Sequence, residues 1–261
     1  MRRCVVENIL LKECFEKDAL ILRSNKVKSV TLIDENDSIT HRVQFNENGL
    51  AENFFYTAYY QFKDKVDTIE YKILWDKEKR ISKLDYKYGV LNTVYLPVYE
   101  NSKLQKINAE FGFGIKEDYI FTYENERIAS LQYYDVNKDT IYLWLKFIYD
   151  ENGKLVKAAT DDGITIDSIT RVPYMNYEDI IISTNSEGSC TYRIENGRIT
   201  QKQRKTPAPQ PRAYYRASKF PKYFIDTDKY FYRENGLIDY VMKNTQYHSG
   251  NKIRYEYEFF D

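Results

Sequence analysis

One short phrase recurs along this chain of 261 residues: two alternating aromatic or apolar positions, a turn rich in acids and Asn, then a basic residue or Leu and an aliphatic one. Its fullest copy spans residues 147–155 (FIYDENGKL). Others lie at 43–50 (VQFNENGL), 73–81 (ILWDKEKRI), 98–104 (VYENSKL), 121–128 (FTYENERI), 192–199 (YRIENGRI) and 230–238 (YFYRENGLI), with a weaker one at 33–39. The anchoring rings Trp75, Tyr99, Tyr123 and Tyr149 are 24, 24 and 26 residues apart. A fixed period of this length restricts the chain to a repeated supersecondary unit.

The physics of the phrase is that of a β-hairpin. Asn-Gly at 48–49, 152–153, 196–197 and 235–236 supplies the positive φ values of a tight primed turn, and alternating residues flank it. Ile141, Leu143, Leu145, Phe147 and Tyr149 share one strand face. Ile253, Tyr255, Tyr257 and Phe259 share another, with Arg254, Glu256 and Glu258 opposite, the pattern of a half-buried strand with a wet face. A period near 24 residues holds two strands and two turns, so the units run up and down. We therefore expect one all-β domain of antiparallel hairpins, a strongly twisted, curved sheet or an open barrel-like meander. The 26 tyrosines give it an aromatic face.

The phrase resembles the YD repeat of RHS-type proteins: an aromatic, a spacer, Tyr-Asp, two turn residues, Gly, then Arg or Lys and Leu. Residues 147–155 match nearly all of it, whereas the other copies keep the aromatics and the aliphatic but often lose the Asp or Gly. The resemblance covers roughly residues 30–261 and implies a hairpin-built sheet. It transfers no activity, because the repeats of that family are scaffold. Short proteins of this pattern resemble adhesive or neutralising modules.

Within that single domain the chain divides into an N-terminal cap (1–29), hairpin repeats (30–200), a basic Pro-rich loop (201–222) and C-terminal hairpins (223–261). The cap lacks the phrase; Val5, Ile9, Leu10, Cys14 and Phe15 fit helical spacing, predicting a helix or strand that covers the first open edge. The rhythm breaks twice. Tyr149 and Tyr192 are 43 positions apart, room for one extra hairpin around Ile164, Ile166 and Ile169. The second break holds residues 201–222, with seven Lys and Arg, no acid and Pro207, Pro209, Pro211 and Pro221, which oppose a central strand and favour extended polyproline conformation. The chain as a whole is neutral, 39 basic against 39 acidic residues. This segment is therefore +7, leaving −7 for the rest. Arg and Tyr are frequent interface anchors, so Arg204, Lys205, Arg212, Tyr214, Tyr215 and Arg216 are the candidate partner-binding residues. Single-stranded nucleic acid suits the same chemistry but is disfavoured by the negative remainder.

No catalytic constellation is legible. His41 and His248 lie at opposite ends of the chain and read as surface residues. Asp34 to Ser38 imitates a calcium loop, but Ile39 stands where Gly must turn and Phe45 where the bidentate Glu belongs. Phe111 to Gly114 lacks the helix a phosphate loop requires. Cys4, Cys14 and Cys190 read as reduced thiols. Glu7, Asn8, Lys12 and Glu13 interrupt any apolar signal core, and there is no membrane-length apolar run, so the cytoplasm is the expected compartment. The sequence thus favours a non-catalytic protein-binding module without cofactor or metal, an immunity or antitoxin protein that occludes a toxin. A carbohydrate-binding or surface protein, and a part of a larger assembly completed at an unpaired strand near Tyr255, are the alternatives.

Overall fold

The alternating pattern folds as expected into antiparallel strands in a computed structural model describing residues 7–60, 65–160, 166–184, 188–208, 223–245 and 250–261. The chain forms two compact units. One comprises Ala19–Ile148 with Tyr255–Asp261, the other Met1–Asp18 with Tyr149–Arg254. The first holds β1 (Val27–Ile33), β2 (Ile39–Phe45), β3 (Ala51–Tyr60), β4 (Lys65–Trp75), β5 (Ile81–Tyr88), β6 (Leu91–Glu100), β7 (Lys103–Phe111), β8 (Lys116–Glu124), β9 (Arg127–Asp135) and β10 (Thr140–Tyr149) up to Ile148. The second holds β11 (Leu155–Thr160), β12 (Ile166–Pro173), β13 (Glu178–Thr184), β14 (Gly188–Glu195), β15 (Arg198–Pro207), β16 (Tyr223–Tyr232), β17 (Ile238–Asn244) and the start of β18 (Asn251–Phe259).

Within each unit, strands consecutive in the chain are consecutive in hydrogen-bonded order, and β1 has a second neighbour in β18. This corrects two expectations. The sheet has no open first edge for the N-terminal segment to cover, and the terminal strand is not left unpaired near Tyr255. Of the two forms expected for the N-terminal segment, the helix is the one present: α1 spans Lys12–Ser24 with Glu13 in its first turn and Arg23 in its last, each placed to favour the helix dipole. Lys26, in the left-handed region at φ 51, ends it, and β1 starts at Val27, inside the expected cap. The extra hairpin is present as β12 and β13, paired from Asp167↔Thr184 to Pro173↔Glu178. The expected basic loop begins later than its composition suggests, because Gln201–Pro207 continue β15.

The phrase divides into two turn chemistries. At Asn196-Gly197, Asn101-Ser102 and Asn125-Glu126 both residues have positive φ, the primed two-residue turn read from the sequence. At Asn48-Gly49, Asn152-Gly153 and Asn235-Gly236 only the Gly does. There the hydrogen bonds run Gly49 N to Asn46 O and Asn46 N to Leu50 O, with equivalents at 150–154 and 233–237, a three-residue loop ending in a bulged left-handed residue. The primed turn expected at those three places is thereby corrected. Asp76 to Arg80 builds the same loop with Lys79 at φ 61. In three of these four loops the Asx residue that opens the loop closes it through its own side chain: Asn46 Oδ1 accepts from Asn48 N and Leu50 N, Asp76 Oδ1 from Arg80 N at 2.8 Å, and Asp150 Oδ1 from Lys154 N at 2.7 Å; at 233–237, which Arg233 opens, Asn235 Oδ1 accepts from Leu237 N at 3.2 Å. This is why the acid or Asn of the phrase recurs.

Beyond each turn the register slips by one residue, as between Leu74/Trp75, Val98/Tyr99, Thr122/Tyr123 and Arg193/Ile194. Such bulges sharpen local twist. They also aim the anchoring ring at the preceding hairpin. Trp75 Nε1 donates to Ala51 O at 2.8 Å, Tyr123 Oη to Leu104 O at 2.9 Å and Tyr232 Oη to Ile199 O, while Tyr99 is hydrogen-bonded to the Ile81 backbone. The base that follows one turn covers the ring of the next. Arg80 lies 4.8 Å from the Tyr99 ring centre, Lys103 5.5 Å from that of Tyr123, and Arg198 3.7 Å from that of Tyr232. The aromatic, the base and the aliphatic of the phrase therefore form one lock between successive hairpins.

Candidate binding surfaces

Two of the six residues expected to meet a partner are described, Arg204 and Lys205. They are exposed near the end of β15 and, being consecutive in a strand, point to opposite faces. Arg204 lies across from Asp226 on β16 and Cys190 on β14. Lys205 Nζ stands 4.2 Å from the Tyr223 ring centre. Lys202, two residues before Arg204, opposes Asp228 and lies 5.1 Å from the Tyr192 ring centre. The basic run thus enters the strand beside Asp226 and Asp228, acids that the sequence reading did not connect with it because the pairing is non-local. Arg212, Tyr214, Tyr215 and Arg216 lie outside the described residues, as does His248. His41 is not a surface residue: it is half-buried and its ring stacks on Tyr56 at 5.4 Å.

A surface that the sequence reading missed sits on three loops of the 19–148 unit. Val90, in the Gly89-Val90 turn between β5 and β6, is 96% exposed, and Phe113, between β7 and β8, is 91% exposed. Ile115 and Val136 extend the apolar surface. Phe113 is held at φ 68, a left-handed conformation that costs a bulky residue about 1–3 kcal/mol. Its loop is tied down: Phe111 N donates to Ile115 O at 2.8 Å, Val136 N to Lys116 O at 3.0 Å, and Lys116 N to Asn137 Oδ1 at 2.7 Å. A folded chain gains nothing by itself from fixing a ring in water at the expense of backbone strain.

The same unit carries the aromatic face. His41, Phe54, Tyr71 and Tyr86 meet in tilted and edge-on contacts across β2 to β5 with centres 6.0, 5.6 and 5.0 Å apart. Further along, Glu117 on β8 directly opposes Asp135 on β9, and Tyr119 opposes Tyr133. Tyr119 Oη donates to Glu117 Oε2 at 3.1 Å. Asp135 receives Lys138 Nζ at 3.3 Å and Tyr142 Oη at 3.4 Å. Burial, then the Glu117 carboxylate, pushes the Tyr119 and Tyr133 phenols far upward, so both keep their protons and serve as donors. Asp135 is partly desolvated, which acts upward, but the Lys138 backbone and ammonium and the Asn137 amide outweigh this and hold it below the usual carboxylate range. Two fixed phenols and an ion-paired acid make a clamp across β8 to β10. Among the described residues no group of three or more His, Cys, Asp and Glu is placed to hold a metal.

Asp76, held low first by the Arg80 backbone N–H, and Glu258, held low first by the Ser29 hydroxyl with Arg42 beside it, join Asp135. A lowered carboxylate contributes stability that is complete above its ordinary pKa and is lost as pH falls through its lowered one. The urea midpoint is therefore expected to hold from neutrality to about pH 5 and to drop below about pH 4; a midpoint that rises on acidification would contradict these assignments.

No family model matches the chain, and no curated protein matches it. Among solved structures it is similar to a porin-like protein from Bacteroides uniformis at 10% identity, covering 89% of this chain and 98% of that one with a TM-score of 0.45. A porin-like protein from Bacteroides vulgatus follows at 9% identity, with 90% and 99% covered and a TM-score of 0.31. A third similarity is to a complex of TcdB2, TccC3 and Cdc42, at 10% identity over 82% of this chain but 13% of that one, with a TM-score of 0.28. The described residues contain no helix long and apolar enough to cross a membrane, which says nothing of strands.

Proposed function

We propose that the protein is a non-catalytic protein-binding module of YD-like hairpin repeats, an immunity or antitoxin protein that occludes a toxin in a bacterial cytoplasm. The observation that carries this reading is the tied-down apolar rim of Val90, Phe113, Ile115 and Val136, with Phe113 strained and 91% exposed. A preformed aromatic anchor binds without paying for its ordering, which is how a few residues come to dominate an interface. The phrase itself supports a scaffold role, since its aromatic, base and turn acid are occupied in locks between hairpins. The exposed face of β18, with Lys252, Arg254, Glu256 and Glu258 alternating against half-buried Ile253, Tyr255 and Tyr257, suits water and is the reverse of a lipid-facing strand. A sugar-binding role has less support, because among the described residues most rings of the aromatic face are half-buried, with Tyr142 exposed at 51%.

The test is co-expression with whichever candidate toxin a neighbouring gene encodes. Complex formation and rescue of growth are expected, and Phe113→Gly, which removes the ring while relieving the backbone, should weaken binding at least tenfold, about 1.4 kcal/mol or more. Unchanged affinity in Phe113→Gly and Val90→Ser would count against this surface. Absence of any complex with the neighbouring toxin would count against the function.

A further inference from the structure

The unit formed by Met1–Asp18 and Tyr149–Arg254 contains a cavity of about 330 Å³ that the partner surface does not use. It lies between the N-terminal helical segment and the hairpins of β11 to β14. Leu10, Leu155 and Ile180, each buried, form its apolar wall. Lys12, Lys154 and Arg171 also line it, against the acids Glu13 and Glu178, so the lining carries a net positive charge.

Arg171 is the informative residue. Its Nη1 donates to Glu178 Oε2 at 3.2 Å. Its Nε is buried and meets no acceptor among the described residues. A buried donor on a charged group is costly to leave unmet, and the guanidinium edge that includes Nε has the geometry to take two carboxylate oxygens. A pocket with one apolar wall, a charged side of net positive sign and a guanidinium donor left without an acceptor matches a small ligand with an anionic head and an aliphatic tail. We propose that this cavity binds a medium-chain aliphatic carboxylate, its head on Arg171 with Lys154 nearby and its tail against Leu10, Leu155 and Ile180. The site is independent of the rim around Phe113.

Calorimetric titration of the full chain with octanoate, octan-1-ol and inorganic phosphate tests this. Octanoate is expected to bind one to one, with octanol and phosphate each at least tenfold weaker, since each lacks one half of the complement. Arg171→Met should abolish octanoate binding. Lys154→Met, in an exposed turn, should weaken it several-fold and leaves the proposal testable should the Arg171 variant fail to fold. No octanoate binding to the wild-type chain, equal binding of octanol, or unchanged affinity in Lys154→Met and Arg171→Met would each overturn it.

Discussion

Trp75→Ala is expected to lower the free energy of unfolding by about 3 kcal/mol, measured by urea denaturation of the full chain. Trp75 pairs with Ile81 across its own hairpin and donates from Nε1 to Ala51 O of the preceding one. Truncation therefore removes a large packed surface and leaves a carbonyl without its donor. The conservative variant separates the two effects. Trp75→Phe keeps most of the ring and should cost about 1 kcal/mol, the net worth of one hydrogen bond. If Trp75→Ala cost no more than Trp75→Phe, the ring would be a surface ornament and the lock between these hairpins would not exist.

Gly188→Ala is expected to be more damaging to the unit containing Tyr149–Arg254. Gly188 sits at φ 88, where an L side chain is strained, and a Cβ built there falls 1.9 Å from Lys205 O and 3.0 Å from the Lys205 carbonyl carbon. These are backbone atoms of the paired strand β15, so no side chain can swing aside. Relief requires the start of β14 or the end of β15 to give up its pairing near Ser189↔Lys205. A loss of about 4 kcal/mol or more, or failure to accumulate as folded protein, is the expected outcome. Gly250→Ala makes the control: it shares φ 88 but among the described residues meets only Met242 Cε, at 3.8 Å, so it bears the backbone strain without that backbone clash and should cost about 1 kcal/mol. Equal effects at the two glycines would show that conformation, not the approach of β15, sets the requirement.

Local structure was the legible part of this sequence. Alternation identified the strands, and the period of the phrase identified hairpins that follow one another in the sheet. Turn type was harder, since Asn-Gly permits both a primed turn and a bulged three-residue loop; at residues 46–50 the side chain of Asn46, two positions ahead of that dipeptide, closes the second. Residues 201–207 were misassigned because Lys, Arg and Gln alternate there without an apolar face, and the paired strands β14 and β16 supply what the segment lacks. The candidate surfaces were hidden for a different reason. Glu117 and Asp135 meet only through the register of β8 and β9, and Val90, Phe113 and Val136 are brought to one rim by loops about 20 residues apart in the chain. Phe113 carried a weak signal, an aromatic between two glycines. Its exposure and left-handed backbone are properties of the folded loop.

The recurring base and ring form a physical bond between hairpins, and the pair Arg198 and Tyr232 offers the sharpest measurement of it. The Arg198 guanidinium lies 3.7 Å from the ring centre and its side chain is 12% exposed, so the contact is largely desolvated. A double-mutant cycle with Arg198→Met and Tyr232→Leu, followed by urea unfolding, is expected to give a favourable coupling of about 1–2 kcal/mol. A coupling indistinguishable from zero would mean that the two residues merely recur side by side.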